Sequence, residues 1–168
     1  FRSWAGSGSS GLWYREDEGP WQRFSAADFR AGNGLAYLLA TRHEGQDALW
    51  VSVYNSGLWR LDEHGVRHWS VDSGELPTDV LYNMVETPVA HGEHALWASS
   101  RNGLIRIYHD KVQVFDRRYG LLTNAIRGVS VWRSPNDTYV LWLATEDGLA
   151  RVLVNAQGWK TVSLLGSH

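Results

Sequence analysis

Cysteine is absent from this chain, which excludes disulfide staples and thiol chemistry but says little about compartment. No stretch approaches the roughly 18 consecutive apolar residues of a membrane helix. Charge of one sign is not in excess: 16 basic and 18 acidic side chains leave a net charge of −2, with no basic stripe, so nucleic acid is excluded as a partner. Sustained 3.6-residue periodicity is missing as well, so the pattern predicts no helix. No signal peptide is visible. The first residue is Phe1 and not Met, which points to processing or to excision from a longer chain.

What the chain has in abundance is tryptophan, ten residues of it, and most fall on a repeat. A Gly-Leu pair recurs at Gly11-Leu12, Gly57-Leu58, Gly103-Leu104 and Gly148-Leu149, in steps of 46, 46 and 45 residues. Six or seven residues before each pair stands Trp4, Trp50, Trp97 or Trp142. Two independent markers keeping one period identify an internal repeat. A period near 40–45 residues with tryptophan signatures predicts a β-propeller blade of four strands. The repeats run over about 1–48, 49–95, 96–140 and 141–168, all within one propeller domain.

One copy illustrates the reading. Leu96-Trp97-Ala98-Ser99-Ser100 is a short strand, and Arg101-Asn102-Gly103 is a turn whose Asn and Gly tolerate positive φ. Leu104-Ile105-Arg106-Ile107-Tyr108 alternates with period two, as a half-buried strand does. A turn at His109-Asp110-Lys111 leads to a third strand over 112–115. A long connection through Asn124 leads to a fourth strand over 125–132. With the strands named A to D and the tryptophan strand as B, the chain contains four B, four C and four D strands but three A strands. The first blade therefore lacks A, the innermost strand of a propeller blade. The open edge and open blade faces that remain predict association with a complementary propeller fragment or with further copies of the chain. The strand-opening tryptophans are expected to be buried where neighbouring blades meet, since large rings bury well between sheets; stacking on a ligand is the other reading.

The motifs Leu76-Pro77-Thr78-Asp79-Val80 and Ala95-Leu96-Trp97-Ala98-Ser99-Ser100-Arg101-Asn102-Gly103-Leu104-Ile105-Arg106 resemble the two-component regulator propeller repeat. So do the loop Gly120-Leu121-Leu122-Thr123-Asn124 and the strand pair 141–151. The resemblance extends over nearly the whole chain and is closest across 49–152. Departures occur where Ser52, Ser99 and Ala144 replace the family's strand glycine, where the aspartate before the A-to-B turn is not preserved, and in the degenerate first loop, Ala31-Gly32-Asn33. The resemblance implies an extracytoplasmic (periplasmic) sensor propeller, with a histidine kinase or diguanylate cyclase output on another part of the receptor. It also implies a carbohydrate-derived ligand, no cofactor, and contact with a membrane only through segments outside this chain.

Ligands of propellers are expected at the D-to-A loops and the starts of the A strands, following the general rule that sites lie on loops of a rigid scaffold. Alignment of the copies places Asn33, Asp79 and Asn124 at one loop position. Ala36, Tyr82 and Arg127 coincide next, and then Tyr37, Asn83 and Gly128. A polar position that varies in type between copies is the mark of a ligand ring, and Asn33, Tyr37, Asp79, Tyr82, Asn83, Asn124 and Arg127 form the candidate set. For Asn33, Asp79 and Asn124 the competing reading is hydrogen bonding to the turn backbone. For Tyr82 and Arg127, polar on otherwise aliphatic strands, it is an inert channel lining.

Other chemistry finds little support. His91, Glu93 and His94 share an A-to-B hairpin, but zinc needs three or four convergent ligands and the stretch reads as solvated. Glu16-Asp17-Glu18 reads as a solvated turn. Asn136-Asp137-Thr138 fits a glycosylation acceptor, and a hairpin turn explains it. No carboxylate pair is placed for glycoside hydrolysis. No Ser-His-Asp set, phosphate loop or phosphoacceptor helix is present. The expectation is a non-enzymatic ligand-sensing segment. The alternatives are a propeller lyase or hydrolase acting on carbohydrate, which needs an acid and a base clustered on the loop face, and a protein-binding scaffold.

Overall fold

A computed structural model describes residues 2–7, 11–25, 34–43, 46–89, 93–135, 138–155 and 158–165. Alternating sequences of up to nine residues, broken by Gly, Asn and Asp, fold here as antiparallel meanders. The first sheet contains β1 (Arg2–Ser7), β2 (Gly11–Glu16) and β3 (Gln22–Arg23). The second contains β4 (Leu35–His43), β5 (Gln46–Val53), β6 (Gly57–Asp62) and β7 (Gly65–Trp69). The third contains β8 (Leu81–Pro88), β9 (His94–Ser100), β10 (Gly103–Tyr108) and β11 (Lys111–Phe115). The fourth contains β12 (Ile126–Arg133), β13 (Tyr139–Thr145), β14 (Gly148–Asn155) and β15 (Gly158–Leu165). Each sheet is one blade in sequential strand order. The first blade has three strands, and the missing one corresponds to β4, β8 and β12 of the others, as the strand inventory predicts. The chain divides into two compact units, Phe1–Leu81 and Tyr82–His168.

The Gly-Leu marker has a steric origin. Gly57 and Gly103 begin β6 and β10 with φ of +78° and +124°, a region that side chains disfavour. A Cβ on Gly57 would run into the carbonyl oxygen of Trp69, at the end of β7; one on Gly103 would lie 2.8 Å from that of Phe115, at the end of β11. The first residue of strand C is thus pressed against the last residue of strand D in both blades, and the following leucines, Leu58 and Leu104, are fully buried. Gly57→Ala is expected to cost roughly 2–4 kcal/mol, combining backbone strain with overpacking. A denaturant midpoint showing a loss under about 1 kcal/mol would remove this account.

The tryptophan marker pairs with an arginine across the strands. Trp50 faces Arg60, Trp97 faces Arg106 and Trp142 faces Arg151 in register. The Arg60 and Arg106 guanidinium carbons lie 5.6 and 5.7 Å from the ring centroids of Trp50 and Trp97. Such stacking contributes about 0.5–1 kcal/mol at exposed sites and more where water is excluded. Burial lowers the pKa of Arg106, the expected result of desolvating a cation.

Trp50 and Trp97 are buried as expected, at 7% and 0% exposure, but Trp142 is only half-buried. The reason is the face on which it lies. In the second unit Trp97, Leu104, Phe115, Leu121, Ile126 and Val129 form one core with Leu141 and Leu143 of β13. Trp142 sits between those two leucines and therefore points to the opposite side of its sheet. In the first unit, Leu12 of β2 packs with Leu49, Val51 and Val53 of β5 and with Trp59 and Leu61 of β6. Trp4, Phe24, Leu35, Leu38 and Val66 pack against that cluster.

Among the described residues, one element lies outside the strand pattern. Residues Arg117–Tyr119 form a single 3-10 turn, with the Asp116 carboxylate accepting from the Arg118 amide at 2.9 Å and Gly120 ending it at φ 89°. Three residues are too few to register as a helical period.

Candidate functional site

The second unit contains four of the seven candidate residues: Tyr82, Asn83, Asn124 and Arg127. Its loop side is built from the 116–125 connection, the β9–β10 turn and the β13–β14 turn. Arg127 stands at a β-bulge, because the β12–β13 register passes from Ile126↔Thr145 to Gly128↔Ala144 and leaves Arg127 unpaired. The same irregularity occurs in β4, between Leu35 and Tyr37. A bulge inserts one residue and re-aims its side chain. The repeat position shared by Ala36 and Arg127 is therefore structurally distinct from its neighbours.

Arg127 is exposed and doubly held. One Nη donates to the Tyr82 hydroxyl at 2.8 Å, and the other donates to Glu146 in a salt bridge. Its guanidinium carbon lies 5.4 Å from the Tyr82 ring centroid. The hydrogen bond to Glu146 is the chief cause that raises the Arg127 pKa, so the cation persists at any ordinary pH. Tyr82 itself is half-buried.

Asn83, next to Tyr82, joins the two sheets of this unit. Its Nδ2 donates to the Val129 carbonyl at 2.7 Å, and its Oδ1 accepts from the Val129 amide at 2.9 Å and the Ser99 hydroxyl at 2.8 Å. Both polar ends of the amide are thus engaged. Asn83 positions β12, and with it Arg127, two residues before Val129.

Asp79 and Asn124 act on backbone. The Asp79 carboxylate accepts from the Val71 amide at 2.7 Å, and Asn124 Oδ1 accepts from the Arg117 amide at 3.0 Å, in equivalent places of the two units. Thr78 and Thr123 repeat a second turn bond, each hydroxyl accepting from the amide two residues on, at 3.2 Å. Tyr37 is half-buried on β4, in the first unit. Asn33, His91, Asn136 and Asp137 lie outside the described residues. Glu93 bonds to the Tyr108 hydroxyl and pairs with His109 Nε2 at 3.0 Å. Glu16 pairs with Arg2 at 2.6 Å.

Beside the Arg127 cluster lies a cavity of about 410 Å³, lined by Arg101, Arg117, Thr123, Asn124, Ala125 and Glu146. Only Asn124 among these belongs to the sequence-based set. Arg101 and Glu146 occupy one repeat slot in the B-to-C turn, two residues before the glycine, where the second blade has Asn55. That slot is polar and varies in type between copies, the same signal that marks the D-to-A loop. Glu146 is tied to that loop by its amide, which donates to the Ala125 carbonyl at 3.2 Å.

Neither a protein-family model nor a curated protein matches the sequence. Among solved structures, the chain is similar to the extracellular domain of a protein described as a hybrid two component system, BT3049 from B. thetaiotaomicron. The TM-score is 0.65 at 21% identity, over 98% of this chain. The chain spans 22% of the length of that structure. No helix among the described residues is long and apolar enough to cross a membrane. Likeness at this identity, together with four meander sheets at the sequence period, shows the fold: the chain is a β-propeller section of four blades.

Proposed function

We propose that this chain is part of a non-catalytic, periplasmic sensor propeller of a bacterial two-component-type receptor. The receptor's output, a histidine kinase or a diguanylate cyclase, lies elsewhere in the protein. The observation that carries the reading is Arg127, held by Tyr82 and Glu146 beside a polar cavity on the loop side of the second unit. A charged side chain with a fixed direction at such a cavity is suited to orient a small polar ligand. The likeness to the extracellular domain of a hybrid two component system supports the sensor role. Binding biases the output through unequal affinity for two receptor states.

Thermal shift with an oligosaccharide panel tests the proposal, since a ligand that binds only the folded state raises the melting temperature. Arg127→Ala and Tyr82→Ala are each expected to weaken the stabilising ligand about tenfold or more. The Arg127–Glu146 pair is exposed and contributes less than about 1 kcal/mol. Arg127→Ala should therefore move the unliganded melting temperature by no more than roughly 2–4 °C. Unchanged affinity in both variants would remove the site. Binding of a protein and of no saccharide would favour a scaffold.

A further inference from the structure

We infer that the Arg101–Arg117 cavity binds the oxyanion of a small acidic ligand, a carboxylate, sulfate or phosphate carried on a hydroxylated molecule. The inference deepens the sensor reading above and rests on it.

Arg101, in the β9–β10 turn, is exposed and has no hydrogen-bond or ion-pair partner among the described residues. Arg117, in the 3-10 turn, donates Nε to the Leu122 carbonyl at 2.7 Å, which fixes its fork and leaves both Nη groups without a carboxylate partner among the described residues. The bond from the Arg117 amide assigns Oδ1 of Asn124 as acceptor and so leaves its Nδ2 as a donor. The Thr123 hydroxyl accepts from the Ala125 amide and keeps its own proton to donate. The one acid in the lining, Glu146, is matched by Arg127. Asp116, the acid nearest Arg117 in sequence, is matched by Arg118 at 2.8 Å. The cavity therefore has two uncompensated guanidinium groups and two neutral donors, in a chain whose net charge is −2.

Such a set has no use for a neutral apolar ligand and suits an oxyanion, since guanidinium forks engage carboxylate, sulfate and phosphate in bidentate pairs. The volume of about 410 Å³ exceeds what a bare anion fills and falls within the small-molecule range. The anion is then one end of a larger ligand, with Thr123 and Asn124 placed for its hydroxyl groups.

Calorimetric titration of the full-length protein provides the test, with galacturonate, a sulfated monosaccharide, inorganic phosphate and neutral galactose as separate probes. At least one anionic probe should bind about tenfold or more tightly than galactose, and more weakly as ionic strength rises. Arg101→Gln should reduce that affinity about tenfold without moving the melting temperature, because Arg101 has no partner among the described residues. Lys111→Gln, on β11, should leave affinity unchanged. Acidic sugars binding better than phosphate would support an anion read together with its hydroxyl groups; equal binding would support the oxyanion as the main determinant. No binding of any anionic probe at millimolar concentration, or binding indifferent to Arg101→Gln, would overturn the inference. Neutral oligosaccharides lost on Arg127→Ala would in that case leave the sensor reading standing.

Discussion

Trp97→Ala should cost the second unit roughly 3–5 kcal/mol, the range of large aromatic deletions from well-packed cores. The ring is fully buried among Leu104, Phe115, Leu121 and Ile126, with its centroid 5.6 Å from that of Phe115. Its Nε1 donates to the buried Thr87 hydroxyl at 2.9 Å, so truncation opens a cavity and also strands a polar group. The Arg106 guanidinium loses its stacking surface as well. Trp142 occupies the same repeat slot but is half-buried, so Trp142→Ala should cost clearly less. Denaturant unfolding of both variants gives the comparison. A Trp97→Ala loss below about 1 kcal/mol, or equal losses for the two, would contradict the packing described.

Asn83→Leu should cost about 2–4 kcal/mol and affect binding as well. The substitution keeps the size of the side chain and removes three hydrogen bonds, two of them to the amide and carbonyl of Val129. Val129 is 4% exposed, so its backbone groups have little access to water once Asn83 is gone. Asn83 also holds the strand segment that follows the Arg127 bulge. Asn83→Leu should therefore weaken ligand binding at the Arg127 cluster in addition to lowering stability clearly, whereas Arg127→Ala should act chiefly on binding, with a stability change under about 1 kcal/mol. Chemical denaturation and titration on the two variants separate these outcomes. An Asn83→Leu protein of unchanged stability would show that the link between the sheets lies elsewhere.

Most of the fold was legible because its determinants are local. Antiparallel neighbours in a meander are joined by short turns, so a period-two pattern broken by Gly, Asn and Asp names each strand and its partner together. The paired positive φ values of His109 and Asp110, in the two-residue turn between β10 and β11, are an instance. The three-strand first blade followed from counting the same motifs. Trp142 differs from Trp97 because burial depends on what covers a face, and that is not encoded in the residue's own repeat.

The candidate site was legible only where one repeat position carried it. Arg127 and Tyr82 stand out in sequence as polar residues on aliphatic strands, and they meet through a hydrogen bond. Asn83, beside them, looks equally suited to a ligand, yet both ends of its amide are engaged by Val129 and Ser99. Arg101, Arg117 and Glu146 come from three separate turns, and no local pattern relates them. The sequence by itself determined the repeat, the strands and the blade that lacks one, because short-range spacing and glycine sterics act within a few residues. Only the tertiary structure decided which polar groups share a cavity and which are consumed by backbone, because hydrogen bonds and charge pairs between distant turns form only once the sheets have packed.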